Sequence, residues 1–153
     1  MDDDAKPDFT PAGPADSDLL VELMREFYEF EQILFDEAVV RRALCQLLGD
    51  RTYGVAYLIR VGGRAAGYCV LTFGFSLEFH GRDALIDELY LREGYRGRGL
   101  GMACLEHVEA VCAGEGIRAI HLLVARGNPR ARSVYARAGY LSQDRDVMTK
   151  WTH

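Results

Sequence analysis

Asp87-Glu88-Leu89-Tyr90-Leu91-Arg92-Glu93-Gly94-Tyr95-Arg96-Gly97-Arg98-Gly99-Leu100-Gly101 is the stretch whose reading decides the fold. Its first residues close a segment, 84–91, whose apolar and aromatic content reads as a strand. Beyond it, residues 100–113 read as a helix stopped by Gly114 and Gly116. The glycines at 97, 99 and 101 thus occupy a strand-to-helix turn, where they permit positive φ and close backbone approach. Their N–H groups, with a helix N-terminus behind them, converge on an anion. Arg96 and Arg98 add charge-assisted bonds to phosphate oxygens, so the element reads as a pyrophosphate cradle. A structural turn without a ligand is the plainer alternative. A dinucleotide-binding turn fails, because Met102 follows Gly101 and Cys104 stands where a third glycine is needed. The phosphate loop of nucleotide hydrolases fails too, for want of Gly-Lys-Ser/Thr.

Upstream, residues 9–15 suit a short edge strand, since Pro11 and Pro14 exclude a central one. Asp16 is placed to cap a helix over 17–31, with Leu19, Leu20, Leu23, Met24, Phe27 and Phe30 at helical spacing. A second helix fits 36–48, with Val39, Val40, Ala43, Leu44 and Leu47 inward and Gly49 as its stop. Strands follow at 53–61 and 64–79, joined through Gly62-Gly63. Downstream, 117–125 reads as a strand, Asn128-Pro129 opens a short helix to about Ala138, and 140–150 can form terminal strands. The sum is an α/β domain: a mixed sheet of about six to seven strands flanked by about four helices. Residues 1–8 read as a disordered acidic leader and 9–153 as one domain.

The chain has 153 residues and a net charge of -5, with 49% hydrophobic residues, a globular composition. No apolar run is long enough to span a membrane, and the acidic start does not resemble a secretory signal. Basic residues concentrate only at 92–98 and 126–137, which suits one small anion and not a nucleic-acid backbone. Cys45, Cys69, Cys104 and Cys112 have no CxxC spacing and read as buried thiols in a reducing, cytoplasmic setting. His80, His107 and His121 are isolated in sequence, so no metal site is expected.

Arg-Gly-x-Gly-x-Gly after an acidic-apolar strand resembles the acetyl-coenzyme A signature of the GNAT superfamily of N-acetyltransferases. Asn128-Pro129-Arg130-Ala131-Arg132-Ser133-Val134-Tyr135-Ala136-Arg137-Ala138-Gly139-Tyr140 resembles its second signature. The helix over 23–31 and the strand over 85–91 are similar to the polyamine (spermidine/spermine) acetyltransferase type. The resemblance implies acetyl-CoA as co-substrate, a small-molecule amine as acceptor, and a homodimer as a common assembly.

It further implies roles for particular residues. The acyl arm would lie along the main chain of Leu89, Tyr90 and Leu91. The cradle Arg96, Gly97, Arg98, Gly99, Leu100 and Gly101 would hold the pyrophosphate, with contacts from Asn128, Arg130 and Ser133. Turn formation is the plain alternative for Asn128, and solvent exposure for Arg130 and Arg132. Tyr135 would protonate the leaving thiolate, or else pack as a core tyrosine. Asp87 aligns with a water-linked base. Glu88 is its rival, because neighbours on a strand face opposite ways and a bulge would change the facing. Tyr28, Glu29 and Glu31 would form an acidic, aromatic lip for a cationic acceptor, where a solvated helix face is the plain reading. Transfer to a protein amine, or a non-catalytic acyl-CoA sensor, are the alternatives of function.

Overall fold

A computed structural model describes residues 4–153. Of the expected leader, Met1 to Asp3 lie outside the described residues, and Asp8 already belongs to a strand. The sheet is an antiparallel meander with one parallel addition. Its strands are β1 (Asp8–Pro11), β2 (Gly54–Val61), β3 (Arg64–Ser76), β4 (Gly81–Leu91) and β5 (Ile120–Leu122), in that spatial order. Proline at 11 is tolerated because β1 is an edge strand. Gly62 and Gly63 both take positive φ, as a two-residue hairpin turn between β2 and β3 requires. β5 joins β4 in parallel at Ala84 to Ile86 only.

Alternation along the strands sends side chains to two covered faces, which is why β2 is buried almost throughout. On one face Ala56, Leu58, Tyr68, Val70 and Tyr90 pack with α1 (Ser17–Phe30) and α2 (Glu37–Gly49) through Leu20, Leu23, Met24 and Leu44. On the other lie Tyr57, Ile59, Cys69 and Leu71, with α3 (Leu100–Gly114) burying Cys104, Leu105, Val108 and Cys112. Fully burying one such leucine contributes about 1.5–3 kcal/mol.

These elements form one compact unit ending at Leu123, and Val124–His153 form a second that holds α4 (Pro129–Arg137). The α/β class and mixed sheet are as expected, but the strands number five among the described residues. The expected terminal strands are absent: 140–153 contain no strand, and Gln143-Asp144-Arg145-Asp146 interrupts the apolar pattern. The strand expected over 117–125 is reduced to three residues, the length over which it finds ladder partners on β4.

Local details differ as well. Asp16 precedes α1, but its carboxylate accepts the Gly13 N–H at 2.9 Å and makes no cap bond to the helix. Asp36 does cap α2, accepting from the Val39 N–H at 3.3 Å. Val39 and Ala43 are exposed, since the stripe that meets α1 and the sheet runs through Val40, Leu44, Leu47 and Leu48. Cys45, on the outer side of α2, is likewise exposed, and the other three cysteines are buried. Among the described residues, no helix is long and apolar enough to cross a membrane.

Candidate active site

A bulge organises β4. Val70 pairs with Glu88 and Leu71 with Ile86, so Asp87 is an extra residue without a partner on β3. Two residues apart on a regular strand, Ile86 and Glu88 would share a face. The bulge separates them: Ile86 stays with Leu71 towards α3, and Glu88 turns with Val70 towards α1. Asp87 is left accessible to solvent. The protein around the strand still raises its carboxyl pKa through desolvation.

The same strand offers main-chain groups. The Arg92 N–H bonds the Ala66 carbonyl on β3 at 2.8 Å. Alternation therefore turns Tyr90 towards β3, and Leu89 and Leu91 away from it. Past Ile86, β5 no longer pairs with that outer edge. The Leu91 carbonyl there accepts from Arg96 Nε at 2.8 Å, leaving the Leu89 groups and the Leu91 N–H on the open side. Tyr90, expected along the acyl arm, instead buries its ring with Phe27 and Tyr68.

The cradle follows directly. Gly97 and Gly99 take positive φ, and Gly99 is the N-cap of α3 with no side chain to cap it. The first helical N–H to find an acceptor behind it is that of Ala103, on the Gly99 carbonyl at 3.0 Å. The N–H groups of Leu100, Gly101 and Met102 therefore have no acceptor within the helix. A Cβ built on Gly99 or Gly101 would meet no atom within 4 Å. Donors facing open space at a helix N-terminus fit the pyrophosphate of a coenzyme A thioester.

The arginines of this stretch are more committed than expected. Arg92 holds Glu26 at 3.0 Å and Glu22 at 3.2 Å, tying α1 to the end of β4. Arg96, bonded to Leu91, also lies 4.3 Å from the Phe30 ring centre and 5.6 Å from that of Tyr90. It clamps the end of α1 to the cradle through cation–π contact. Arg98 lies 5.5 Å from the Tyr95 ring centre.

At the α1 side of the bulge, Tyr28 Oη donates to Glu88 Oε2 at 2.5 Å and Tyr68 Oη donates to Oε1 at 2.8 Å. Burial pushes the Glu88 carboxyl up, while the two phenol hydrogen bonds pull it down and nearby Asp87 pushes it up. Both phenols are pushed well above the ordinary tyrosine value, chiefly by burial and then by the carboxylate. Tyr28 thus joins a half-buried carboxylate cluster. Glu29 does line an open recess of about 380 Å³, with Glu26, Phe30, Tyr90, Glu93 and Arg96. Glu31 is exposed.

In the second unit, Asn128 Oδ1 accepts from the Ala131 N–H at 3.1 Å and caps α4. Arg130, Arg132 and Ser133 are exposed on that helix. The Tyr135 ring is half-buried and packs edge-on to Tyr140 at 6.2 Å. Arg126 is ion-paired with Asp146. His121 Nε2 contacts Asp83 Oδ2 at 3.1 Å in the first unit. Among the described residues no group of three metal-binding side chains occurs. The sequence reading missed Tyr68 and the Phe30–Arg96 clamp. The aromatic run of β3 and the apolar stripe of α1 contain both tyrosine and phenylalanine, but their partners lie far away in the chain.

The profile of the Acetyltransferase (GNAT) family matches residues 17–140, and the chain belongs to this family of acyltransferases. Thialysine N-epsilon-acetyltransferase of Bos taurus is 27% identical over 140 residues, covering 86% of this chain and 81% of that protein. An uncharacterized N-acetyltransferase of Mycobacterium tuberculosis is 36% identical over 81 residues, 53% of this chain and 49% of its own. Among solved structures, an integron cassette protein from the Cole Harbour Salt Marsh metagenome superposes with a TM-score of 0.84 at 33% identity. That match covers 95% of this chain and 90% of the other. A predicted acetyltransferase of Clostridium acetobutylicum, solved with acetyl-CoA, shares the fold at TM-score 0.80 and 18% identity over 95% of this chain and 96% of its own. The thialysine relatives agree with the resemblance to polyamine-type enzymes.

Proposed function

We propose that the protein transfers the acetyl group of acetyl-CoA to a primary amine of a small molecule, a polyamine or a related terminal amine, by direct attack in a ternary complex. One observation carries the reading: the open α3 cradle continues into the unpaired edge of β4, and that edge begins at a bulge bearing two carboxylates. An extended acyl arm can add to such an edge as a strand would. Relatives named for acetylating thialysine, which ends in a primary amine, support the acceptor class. Three buried free thiols support a reducing compartment such as the cytoplasm.

An alkylammonium of pKa about 10.4 supplies only about one free base in a thousand near neutrality, so proton removal matters. Asp87, accessible and with a raised pKa, takes that proton directly or through a water. The nitrogen forms its bond to the thioester carbon, and the developing oxyanion faces a main-chain N–H of the β4 edge. Collapse breaks the carbon–sulfur bond, the Tyr135 phenol protonates the departing thiolate, and the surplus proton of the new amide nitrogen passes through solvent to restore the phenol. Glu29 and Glu31, exposed at the end of α1, favour a cationic acceptor by their field, whereas Glu22 and Glu26 are paired with Arg92.

A thiol-release assay over polyamines, thialysine, amino acids, aminoglycosides and peptides tests the reading. The expected result is highest kcat/KM on a small di- or polyamine or on thialysine. Turnover confined to peptides would refute the small-molecule acceptor. Acetyl-CoA binding without any turnover would refute transfer itself.

A further inference from the structure

We infer that Tyr68 is a positioning residue for the transfer: with Tyr28 it pins the Glu88 carboxylate between β3 and α1, so that Asp87 alone meets the incoming amine. This inference rests on the acetyl-transfer reading. Tyr68 has no exposed surface, and its ring packs against Phe27 and Tyr90. A phenol placed so deep requires a hydrogen-bond acceptor. Glu88 Oε1 at 2.8 Å provides it, and Tyr28 occupies the other carboxylate oxygen.

The two donors come from different elements, one from the sheet and one from the helix end. A glutamate otherwise samples several rotamers, and donors on both oxygens remove that freedom. The groups facing Glu88 are Tyr28 from α1, Tyr68 from β3 and Asp87 from its own strand. Among the described residues no ion pair involves Glu88, so two neutral phenols compensate its charge where a cation would ordinarily do so. With both oxygens occupied, Glu88 is poorly placed to accept a proton from substrate. Asp87, lifted out by the bulge, makes no hydrogen bond or ion pair among the described residues and stays accessible. The tyrosine pair thereby divides two adjacent carboxylates into a fixed negative charge and a reactive base.

The test combines steady-state kinetics with carbon-13 NMR titration of the glutamate carboxyls in the full chain, for Tyr68→Phe and Tyr28→Phe. Tyr57→Phe, on the opposite face of the sheet, controls for packing. Losing a donor to the ionised form raises the Glu88 titration midpoint, by about one pH unit for Tyr68→Phe. The acidic limb of the kcat/KM profile reports Asp87, so it should move by less than the Glu88 midpoint, and kcat should fall about tenfold with the KM for acetyl-CoA kept. A Glu88 midpoint unmoved in both variants overturns the inference, as does a moved midpoint with wild-type kcat, or an acidic limb that follows Glu88 in full. Should Tyr68→Phe fail to fold, Tyr28→Phe decides by the same two readouts. Absence of amine acetylation by the unaltered protein is a different failure, that of the parent reading, and removes this role with it.

Discussion

Replacing Gly101 by alanine separates what the cradle does for stability from what it does for the donor. Gly101 lies in the first turn of α3, has no positive φ, and a Cβ there meets nothing within 4 Å. The folded protein has room for the methyl group, and alanine costs less backbone entropy than glycine in a helix. The variant should gain about 0.5 kcal/mol. For a chain of this size that is about 1–2 °C in Tm. The added methyl is expected, however, to crowd a pyrophosphate bound at the helical N–H groups. Acetyl-CoA at one hundred times its Kd stabilises the unaltered protein by about 2.7 kcal/mol, or about 5–10 °C. A hundredfold loss of affinity leaves about 0.4 kcal/mol at the same concentration, or about 1 °C. Thermal unfolding with and without acetyl-CoA, backed by isothermal titration, reads both effects on one sample. An apo Tm that rises while the ligand shift collapses is the expected outcome. A full ligand shift in Gly101→Ala would refute the placement of the pyrophosphate at this helix end.

Three other substitutions bear on the chemistry and the fold. Asp87→Asn should lower kcat by about a hundredfold and abolish the acidic limb of the pH–rate profile, with Tm kept, as a general base on an accessible bulge requires. Tyr135→Phe should lower kcat and leave acetyl-CoA affinity largely intact by titration; an unchanged kcat removes the phenol as acid. His107 stacks on Phe9 at 4.8 Å and meets Tyr57 edge-on at 4.7 Å, with Nε2 buried and without a hydrogen-bond partner among the described residues. Desolvation lowers its folded pKa below the ordinary 6.5. The unfolded chain then binds the proton more readily. Stability is full above about pH 6.5 and declines as pH falls from there through the folded pKa. Thermal unfolding between about pH 7.5 and 5.5 should show this decline, and His107→Phe should flatten it.

How much was legible in the sequence depends on how local each feature is. The cradle, the Gly62-Gly63 turn, the Asp36 cap and the stripe of α1 are each written within a few residues. Local backbone chemistry fixes them. The Tyr68–Glu88 bond spans 20 residues, Tyr28–Glu88 spans 60 and the Arg92–Glu26 pair spans 66. No spacing rule predicts such contacts: the sequence pattern offers Arg96 as an anion ligand, and the structure also gives it a carbonyl and a phenyl ring as partners. No residue type around Asp87 demands the bulge, so the sequence leaves it as one alternative; it emerges from the register of two strands. The terminal strands do not form because apolar residues in 140–150 satisfy a local pattern without a ladder to join.

Initial-velocity kinetics with acetyl-CoA and a small diamine varied together, and the product examined by mass spectrometry, test the central claim most directly. Direct attack in a ternary complex predicts intersecting reciprocal plots, an N-acetylated amine and no acetylated protein on the catalytic path. Parallel plots with a competent acetyl-enzyme, or thiol release without any acetylated amine, would contradict it.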